Sequence, residues 1–289
     1  MKTGDLLNPS AYPRLARSCA RLLRDLVRQW PDMRAASAQW PRWILRRLFA
    51  PLRPVPLILT SRTGIRCELG DDPVDDAIFA HVHGGSSILY FPPLPNGEPD
   101  GLILDVGAHH GIYAMEALRR YPQCDLIAVE PDPAACTKIE ANARLNNLSS
   151  RIEIVGAGLA GADGQGSLVM DAHGSWASRT RAADTGSTSD VRVELKTLAS
   201  ILRGRRVAIV KSNAEGAEFA LVPQLIAGGH RPRLIVLMAH PEAGSPDELV
   251  RMLSAVGYHV RDADAPARGC RFHCVRPGDL PSLSGTRDG

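Results

Sequence analysis

The sequence has few aromatic residues and lacks any long apolar segment. Phe, Trp and Tyr make up 5% of its 289 residues, so the core must be built from leucine, valine, isoleucine and alanine. No apolar run reaches the roughly 18 residues of a membrane-spanning helix, and no uninterrupted secretory-signal segment opens the chain. Six scattered cysteines show no C-x-x-C spacing. This argues against a zinc site or a disulfide framework and predicts reduced thiols in a cytoplasm.

Charge is distributed unevenly along the chain, whose overall net charge is +3. Residues 1–53 contain Lys2 and ten arginines against three aspartates, which gives this arm +8 and leaves −5 for the remainder. Such asymmetry is typical of contact with nucleic acid or an anionic membrane. Because the body is acidic, we expect no nucleic-acid binding. We expect the arm to pack as short helices, with peripheral membrane contact through residues 1–53 as the alternative.

The hydrophobic pattern predicts three parts: a basic helical extension over residues 1–53, a domain over 54–280 and a flexible tail over 281–289. Pro31 is expected to end the first helix of the extension. From Leu102 onward, short apolar runs alternate with helical segments, and the last two runs form an antiparallel hairpin. This alternation predicts an α/β fold with a doubly wound, mostly parallel sheet. An irregular, Gly-rich stretch over roughly 158–189 is expected to form a loop or lid.

The strongest motif is the glycine-rich turn that follows the apolar run Leu102–Val106. Its candidates for contact with a ligand are, in chain order, Asp105, Gly107, Ala108, His109 and Gly111. The spacing D-x-G-x-x-x-G differs from the dinucleotide fingerprint, because Asp105 stands at the first glycine position. A carboxylate there would repel a pyrophosphate but suits a ligand with cationic groups. The bland alternative is a turn and helix cap without a ligand.

A second acidic position follows at the distance expected for a nucleoside site. Glu130, followed by Pro131, ends the next apolar run about twenty residues later, where an acid binds the hydroxyls of an adenosine ribose. A glycine turn and two acids fit S-adenosylmethionine, which carries an ammonium and a sulfonium but no phosphate. A nicotinamide oxidoreductase remains the alternative, disfavoured by Asp105.

A third polar cluster follows the apolar run Val207–Lys211. Lys211, Asn213, Glu215 and Glu218 lie beside Gly216, at the strand end where active sites occur in such sheets. The alternative is a helix start, with Asn213 as the cap and the glutamates in a favourable first turn.

These stretches together resemble the FkbM family of S-adenosylmethionine-dependent methyltransferases. The resemblance covers roughly residues 87–240. Its motifs are Ile103-Leu104-Asp105-Val106-Gly107-Ala108, Ala128-Val129-Glu130-Pro131-Asp132-Pro133, Asn142, Lys211 to Glu218, and Pro232 to His240. The resemblance implies a class I methyltransferase fold, S-adenosylmethionine as cofactor, and O-methylation of a sugar or secondary metabolite.

The sequence departs from the family pattern at three positions. His109 replaces an asparagine, Asn213 replaces an aspartate, and Met238 replaces a glutamate. Because carboxylates are the better ligands for hard metals, no metal is predicted. The absence of the two carboxylates at Asn213 and Met238 also leaves open a degraded methyltransferase, which would bind the cofactor without catalysing transfer.

Catalysis at a hydroxyl needs a group that accepts its proton. His240 is the first candidate because of its intrinsic titration range, and Glu215 is the second. Lys211 is expected to orient Glu215 or the acceptor. Trp176 and Arg179, in the Gly-rich stretch, are candidates for contact with a small-molecule acceptor. The sequence leaves open the identity of the acceptor and the oligomeric state of the protein.

Overall fold

The computed structural model describes residues 24, 26–49, 57–70, 73–94, 97, 99–171, 174–182, 191–264 and 270–276. For residues 49, 169–171, 174–182, 263–264 and 270 it describes the backbone alone. The expected flexible tail over 281–289 lies outside this range. The chain divides into two compact units, Met1–Ser87 and Ile88–Gly289. The sequence places the start of the main domain at residue 54, and that functional boundary stays a prediction.

Within its described residues, the first unit contains three α-helices and a hairpin. In chain order these are α1 (residues 26–36), α2 (Trp40–Phe49), β1 (Leu57–Thr60), β2 (Arg66–Leu69) and α3 (Pro73–His83). The expected hairpin is therefore present, with β1 and β2 antiparallel. The expectation that Pro31 ends the first helix is wrong, since helical residues continue to 36. Proline removes the hydrogen bond to the carbonyl of Val27, and Val27 is 75% exposed, so water is near enough to replace it.

Two arginines of α2 form ion pairs within this unit. Arg46 and Arg47 approach the two carboxylate oxygens of Asp76 at 3.2 and 3.3 Å, and Asp76 is fully buried. Burial raises the pKa of Asp76 to about 6, against the lowering effect of the two guanidinium groups. Trp43, on the same helix, is fully buried. The amphipathic pattern of α2 thus serves packing within the unit; membrane contact through residues 1–53 stays a prediction.

The described part of the second unit is built on a seven-stranded sheet. Its strands are β3 (Gly101–Val106), β4 (Cys124–Val129), β5 (Ile152–Val155), β10 (Val207–Ser212), β11 (Leu234–Ala239), β12 (His259–Asp264) and β13 (Cys270–Val275). They lie in the order β12-β13-β11-β10-β3-β4-β5. Strands β5, β4, β3, β10 and β11 pair in parallel, and β13 is antiparallel to β11 and β12. The predicted α/β doubly wound fold with a C-terminal antiparallel hairpin is confirmed.

Helices connect the parallel strands and cover the sheet. They are α4 (Ile112–Arg120), α5 (Pro133–Leu145), α6 (Leu198–Leu202), α7 (Glu218–Ala227) and α8 (Pro246–Ala255). Apolar side chains of β3, β10 and β11 pack with those of α6, α7 and α8 in one continuous core. None of the described helices is long and apolar enough to cross a membrane. Cys67, Cys124, Cys136 and Cys274 are free thiols.

The Gly-rich stretch forms a second sheet, so the loop expected over 158–189 is wrong for its described part. Strands β6 (Ala157–Leu159), β7 (Gly164–Asp171), β8 (Gly174–Ala182) and β9 (Val191–Lys196) pair in the order β6-β9-β7-β8. Glycine and serine lower strand propensity, but cross-strand pairing with β9 overrides that weak preference. The side chains of Leu168, Val193 and Leu195 form a small separate core under this sheet.

We expect Trp43→Ala to unfold the first unit preferentially. Removing a fully buried tryptophan leaves a cavity, which costs about 3–5 kcal/mol. Leu45→Ala, on the same helix, is the control, because Leu45 is 55% exposed and its loss should change stability by under about 0.5 kcal/mol. Chemical denaturation followed by tryptophan fluorescence and circular dichroism measures both. Equal effects of the two substitutions would contradict the packing of α2 described above.

Candidate active site

The carboxyl ends of the parallel strands carry all three motifs found in the sequence. Strand order reverses between β3 and β10, which are adjacent although the chain leaves β3 toward β4 on the other side. In open α/β sheets, ligands bind at such a point. The turn after β3, the end of β10 and the end of β11 therefore meet there.

The glycine turn lies so close to the segment after β10 that no side chain fits between them at Gly107. Gly107 has a φ of 71°, and a Cβ at this residue would lie 2.2 Å from the carbonyl oxygen of Asn213. The backbone nitrogen of Asn213 in turn donates to the carbonyl of Val106 at 3.0 Å. Only glycine supplies both this φ and this space.

The remainder of the turn is held from two sides. The amides of Gly107 and Ala108 both donate to the carbonyl of Val129 at the end of β4. The side-chain nitrogen of Asn142, on α5, donates to the carbonyl of His110. His109 adopts a left-handed φ of 51°, and Gly111, with φ 75°, precedes the first residue of α4. Asn142, named above as part of the family resemblance, thus fixes the turn.

Lys211 contacts the glycine turn. Its Nζ donates to Oδ1 of Asp105 at 2.8 Å and to the carbonyl of Gly107 at 2.8 Å. Asp105 is fully buried; burial raises the pKa of its carboxyl, and Lys211 acts in the opposite direction. Oδ2 of Asp105 is buried without a hydrogen-bond partner among the described residues. The structure thus brings Lys211 to Asp105, whereas the sequence predicts an orienting role toward Glu215 or the acceptor, which stays a prediction.

Glu130 lies beside the same turn. Its Oε2 accepts from the amide of His109 at 2.8 Å and its Oε1 from the amide of Asp132 at 3.0 Å. Burial raises the pKa of this carboxyl, and the two amide hydrogen bonds lower it. A carboxylate oxygen has two lone pairs, so each oxygen can still accept a ligand hydroxyl. Pro131 follows Glu130 and is half-buried.

Beyond the glycine turn, two glutamates hold one histidine. Nδ1 of His240 lies 2.9 Å from Oε1 of Glu218, and Nε2 lies 3.4 Å from Oε1 of Glu215. The amide of His240 also donates to Oε1 of Glu218 at 2.7 Å. We call these three residues the Glu-His-Glu array. Their side chains are 13% exposed for Glu215, 7% for His240 and 0% for Glu218, so Glu215 is the most open member.

The array changes the titration of its histidine. Burial alone would lower the pKa of His240, but hydrogen bonds and charges from Glu215 and Glu218 outweigh it and raise the pKa to about 9. The imidazole is therefore protonated at neutral pH. A protonated ring cannot accept a further proton, which bears directly on the role of His240.

Trp176 and Arg179 lie on β8, in the second sheet. Arg179 is opposite Val169 of β7 in the antiparallel register. The structure describes the backbone of this strand, so contact of these two side chains with an acceptor stays a prediction.

The structure brings in two residues to which the sequence assigns no catalytic or binding role of their own. Glu218, a member of the third polar cluster above, is the buried partner of His240. Tyr113, on α4, is buried with its ring 5.6 Å from Nζ of Lys211, and its hydroxyl has no hydrogen-bond partner among the described residues. Complete burial of a glutamate depends on tertiary contacts, so no local signal could have separated Glu218 from a solvated first-turn acid.

The family comparison agrees with this arrangement. Residues 105–260, more than half of the chain, match the methyltransferase FkbM domain, and the chain belongs to that family. Methyltransferase sdnD of Sordaria araneosa is 27% identical over 160 residues, which cover 45% of this chain and 62% of sdnD. Methyltransferase 1 of Beauveria bassiana is 27% identical over 147 residues, covering 44% and 57% of the two chains. This chain thus spans about six-tenths of the length of these relatives.

A further relative and two solved structures are more distant. AMB antimetabolite synthetase AmbE of Pseudomonas aeruginosa is 25% identical over 234 residues, covering 64% of this chain and 11% of AmbE. Precorrin-6y C5,15-methyltransferase from Geobacter metallireducens superposes with a TM-score of 0.40 at 15% identity, covering 66% of this chain and 86% of its own. An O-methyltransferase family protein from Burkholderia thailandensis gives 0.39 at 14%, covering 82% and 69%.

The chain therefore contains an FkbM methyltransferase domain, whose cofactor is S-adenosylmethionine, as predicted. The alternative of a nicotinamide oxidoreductase is therefore wrong. The site residues fit this cofactor. Each carboxylate oxygen of Glu130 has a free lone pair for a ribose hydroxyl. Oδ2 of Asp105 is buried and has no hydrogen-bond partner among the described residues, so it can accept from a cationic group of the cofactor. When bound, the cofactor supplies an activated methyl group on a sulfonium.

We expect Gly107→Ala to abolish cofactor binding and to lower stability by more than about 2 kcal/mol. The new Cβ would collide with the carbonyl of Asn213, and the left-handed φ adds strain. Gly161→Ala is the control, because a Cβ there meets nothing within 4 Å. Thermal unfolding and calorimetric titration with S-adenosylhomocysteine measure both. Normal binding by Gly107→Ala would show that the two loops do not meet as described.

We expect Glu130→Gln to weaken binding of S-adenosylhomocysteine by about 1–3 kcal/mol. Losing a charged acceptor for two hydroxyls has that cost. Glu140→Gln, at an exposed position of α5, should leave binding unchanged. Titration of 2′-deoxy-S-adenosylhomocysteine completes the cycle. If the deoxy ligand lost as much affinity on the substitution as the parent ligand, Glu130 would not contact the 2′-hydroxyl.

Proposed function

We propose that the protein is an O-methyltransferase that transfers the methyl group to a hydroxyl of a sugar or a secondary-metabolite-like small molecule. The observation that carries the proposal is the Glu-His-Glu array, which follows β10 and β11 next to the glycine turn after β3. Transfer to a neutral hydroxyl releases a proton, and an array of carboxylates and imidazole can take it up. The name of AmbE, an antimetabolite synthetase, fits a secondary-metabolite acceptor.

Glu215 is the member of the array that receives the proton in this proposal. Its side chain is the most exposed of the three, and its backbone has a left-handed φ of 49° that holds it at the strand end. His240 is protonated at neutral pH, so it serves as the cationic partner of Glu215. This differs from the first preference drawn from the sequence, in which His240 itself is the base. The two assignments predict different dependences of rate on pH.

Asn213 and Met238 bear on metal use and on activity. Neither is a carboxylate, so the proposed proton uptake uses the array and no metal ion. The same two residues favour a second candidate function, a degraded methyltransferase fold that binds cofactor without turnover. The acceptor would be bound by the second sheet, where β8 carries Trp176 and Arg179.

The experiment is methyl-label transfer from labelled S-adenosylmethionine to a panel of neutral sugars and polyhydroxylated metabolites. We expect an O-methylated product, formed also in the presence of EDTA. Glu215→Gln should lower the rate by about 100-fold or more, the contribution of a positioned general base, with cofactor affinity unchanged within about twofold. Glu248→Gln, an exposed acid on α8, is the control and should retain the wild-type rate.

The pH profile separates the two bases. With Glu215 as the acceptor, the rate does not follow deprotonation of the His240 ring. A rate that climbs until the pH reaches about 9 would assign the base to His240 instead. Cofactor binding with no label transfer to any member of the panel would favour the degraded fold, and transfer to nitrogen or carbon would contradict O-methylation.

A further inference from the structure

Glu218 combines complete burial with hydrogen bonds to both of its carboxylate oxygens. It is the first residue of α7 and has no exposed side-chain surface. A glutamate at such a position usually lies in water beside the helix N-terminus. Its oxygens instead accept three hydrogen bonds, and none of the three donors belongs to α7. A desolvated carboxylate needs such hydrogen bonds to offset the cost of its burial, and removal of one partner is strongly destabilising.

The Oε1 atom of Glu218 fixes His240 at two points. It accepts from the backbone amide at 2.7 Å and lies 2.9 Å from Nδ1 of the ring. Because one oxygen binds both groups, the ring cannot rotate about its first side-chain torsion without losing a hydrogen bond. A proton on Nδ1 satisfies this contact and leaves Nε2 directed at Glu215.

The Oε2 atom fixes the backbone next to Glu215. It accepts from the amide of Gly216 at 3.0 Å. Gly216 has a φ of 110°, and a Cβ there would lie 2.7 Å from the Cβ of Ala243, so the loop is confined on its other side as well. Glu215 precedes this residue with a left-handed φ of its own. Such a conformation persists where the surroundings determine it, and the Gly216 hydrogen bond is one such constraint.

We infer that Glu218 is a positioning residue that sets both members of the Glu215–His240 pair: one oxygen orients the imidazole, and the other holds the strained loop that presents Glu215. Glu218 touches no reacting group. Its catalytic consequence rests on the proposed function, but its effect on His240 does not. Among the described residues, the charged groups facing the His240 ring are Glu215 and Glu218, so titration of the ring reports on these two contacts.

The test is an NMR titration of His240 in the full-length protein, with the signal assigned by its loss in His240→Asn. In the wild type the ring should titrate near pH 9, with a downfield Nδ1 proton. In Glu218→Gln the midpoint should fall by at least one pH unit, because the ring loses a buried anionic partner. Glu218→Asp keeps the charge on a shorter side chain and should give an intermediate midpoint. Glu248→Gln should titrate like the wild type.

The outcomes separate this inference from the proposed function. Calorimetric titration should show that Glu218→Gln binds S-adenosylhomocysteine within about twofold of wild type, since Glu218 does not contact the glycine turn. A wild-type midpoint near 6.5, or an unchanged midpoint in Glu218→Gln, would overturn the inference, and the wild-type measurement stands even if the variants do not fold. A shifted midpoint together with undiminished label transfer would uphold the positioning of His240 and contradict proton uptake by the array.

Discussion

The close approach of Gly107 to the carbonyl of Asn213 is the constraint on which the site depends. It joins the turn after β3, with the candidate cofactor residues, to the segment after β10, with Glu215, the residue proposed for proton uptake. Lys211 adds a second connection, since its ammonium binds both Asp105 and the carbonyl of Gly107. The two halves of the site therefore cannot separate without exposing a buried ion pair.

Backbone strain occurs in both loops of the candidate site. Two of the non-glycine residues with positive φ, His109 and Glu215, lie in the loops that follow β3 and β10. In both cases a buried carboxylate accepts a nearby amide: Glu130 binds the amide of His109 itself, and Glu218 binds the amide after Glu215. Each strained loop is thus held by a buried glutamate: Glu130 follows β4, and Glu218 begins α7 directly after the loop. Strain at functional sites requires such compensation.

The sequence predicted the sheet better than it predicted the connections. Continuous apolar runs such as Leu234–Ala239 coincide with buried parallel strands, because burial on both faces leaves a strong pattern. The stretch that forms β7 and β8 is expected to be a loop, because glycines and serines interrupt any strand pattern in its sequence. Its strands form through pairing of β7 with β8 and β9, which the local sequence does not show. Likewise the motifs located the site, but the partner of Lys211 depends on which strands are neighbours, and that information is not local.

The position of β13 has a consequence for how the chain folds. This strand follows every other strand of the large sheet in chain order, yet it lies between β11 and β12. During synthesis, β11 therefore presents an open, hydrogen-bonding edge until Cys270–Val275 has been made. His240 directly follows β11, so the strand that positions it lacks one hydrogen-bonded neighbour over the same interval. Exposed edges and late, non-local pairing favour aggregation of nascent chains. Substitutions that weaken the pairing of residues 270–275 would therefore reduce the yield of folded protein before they altered the chemistry of the site.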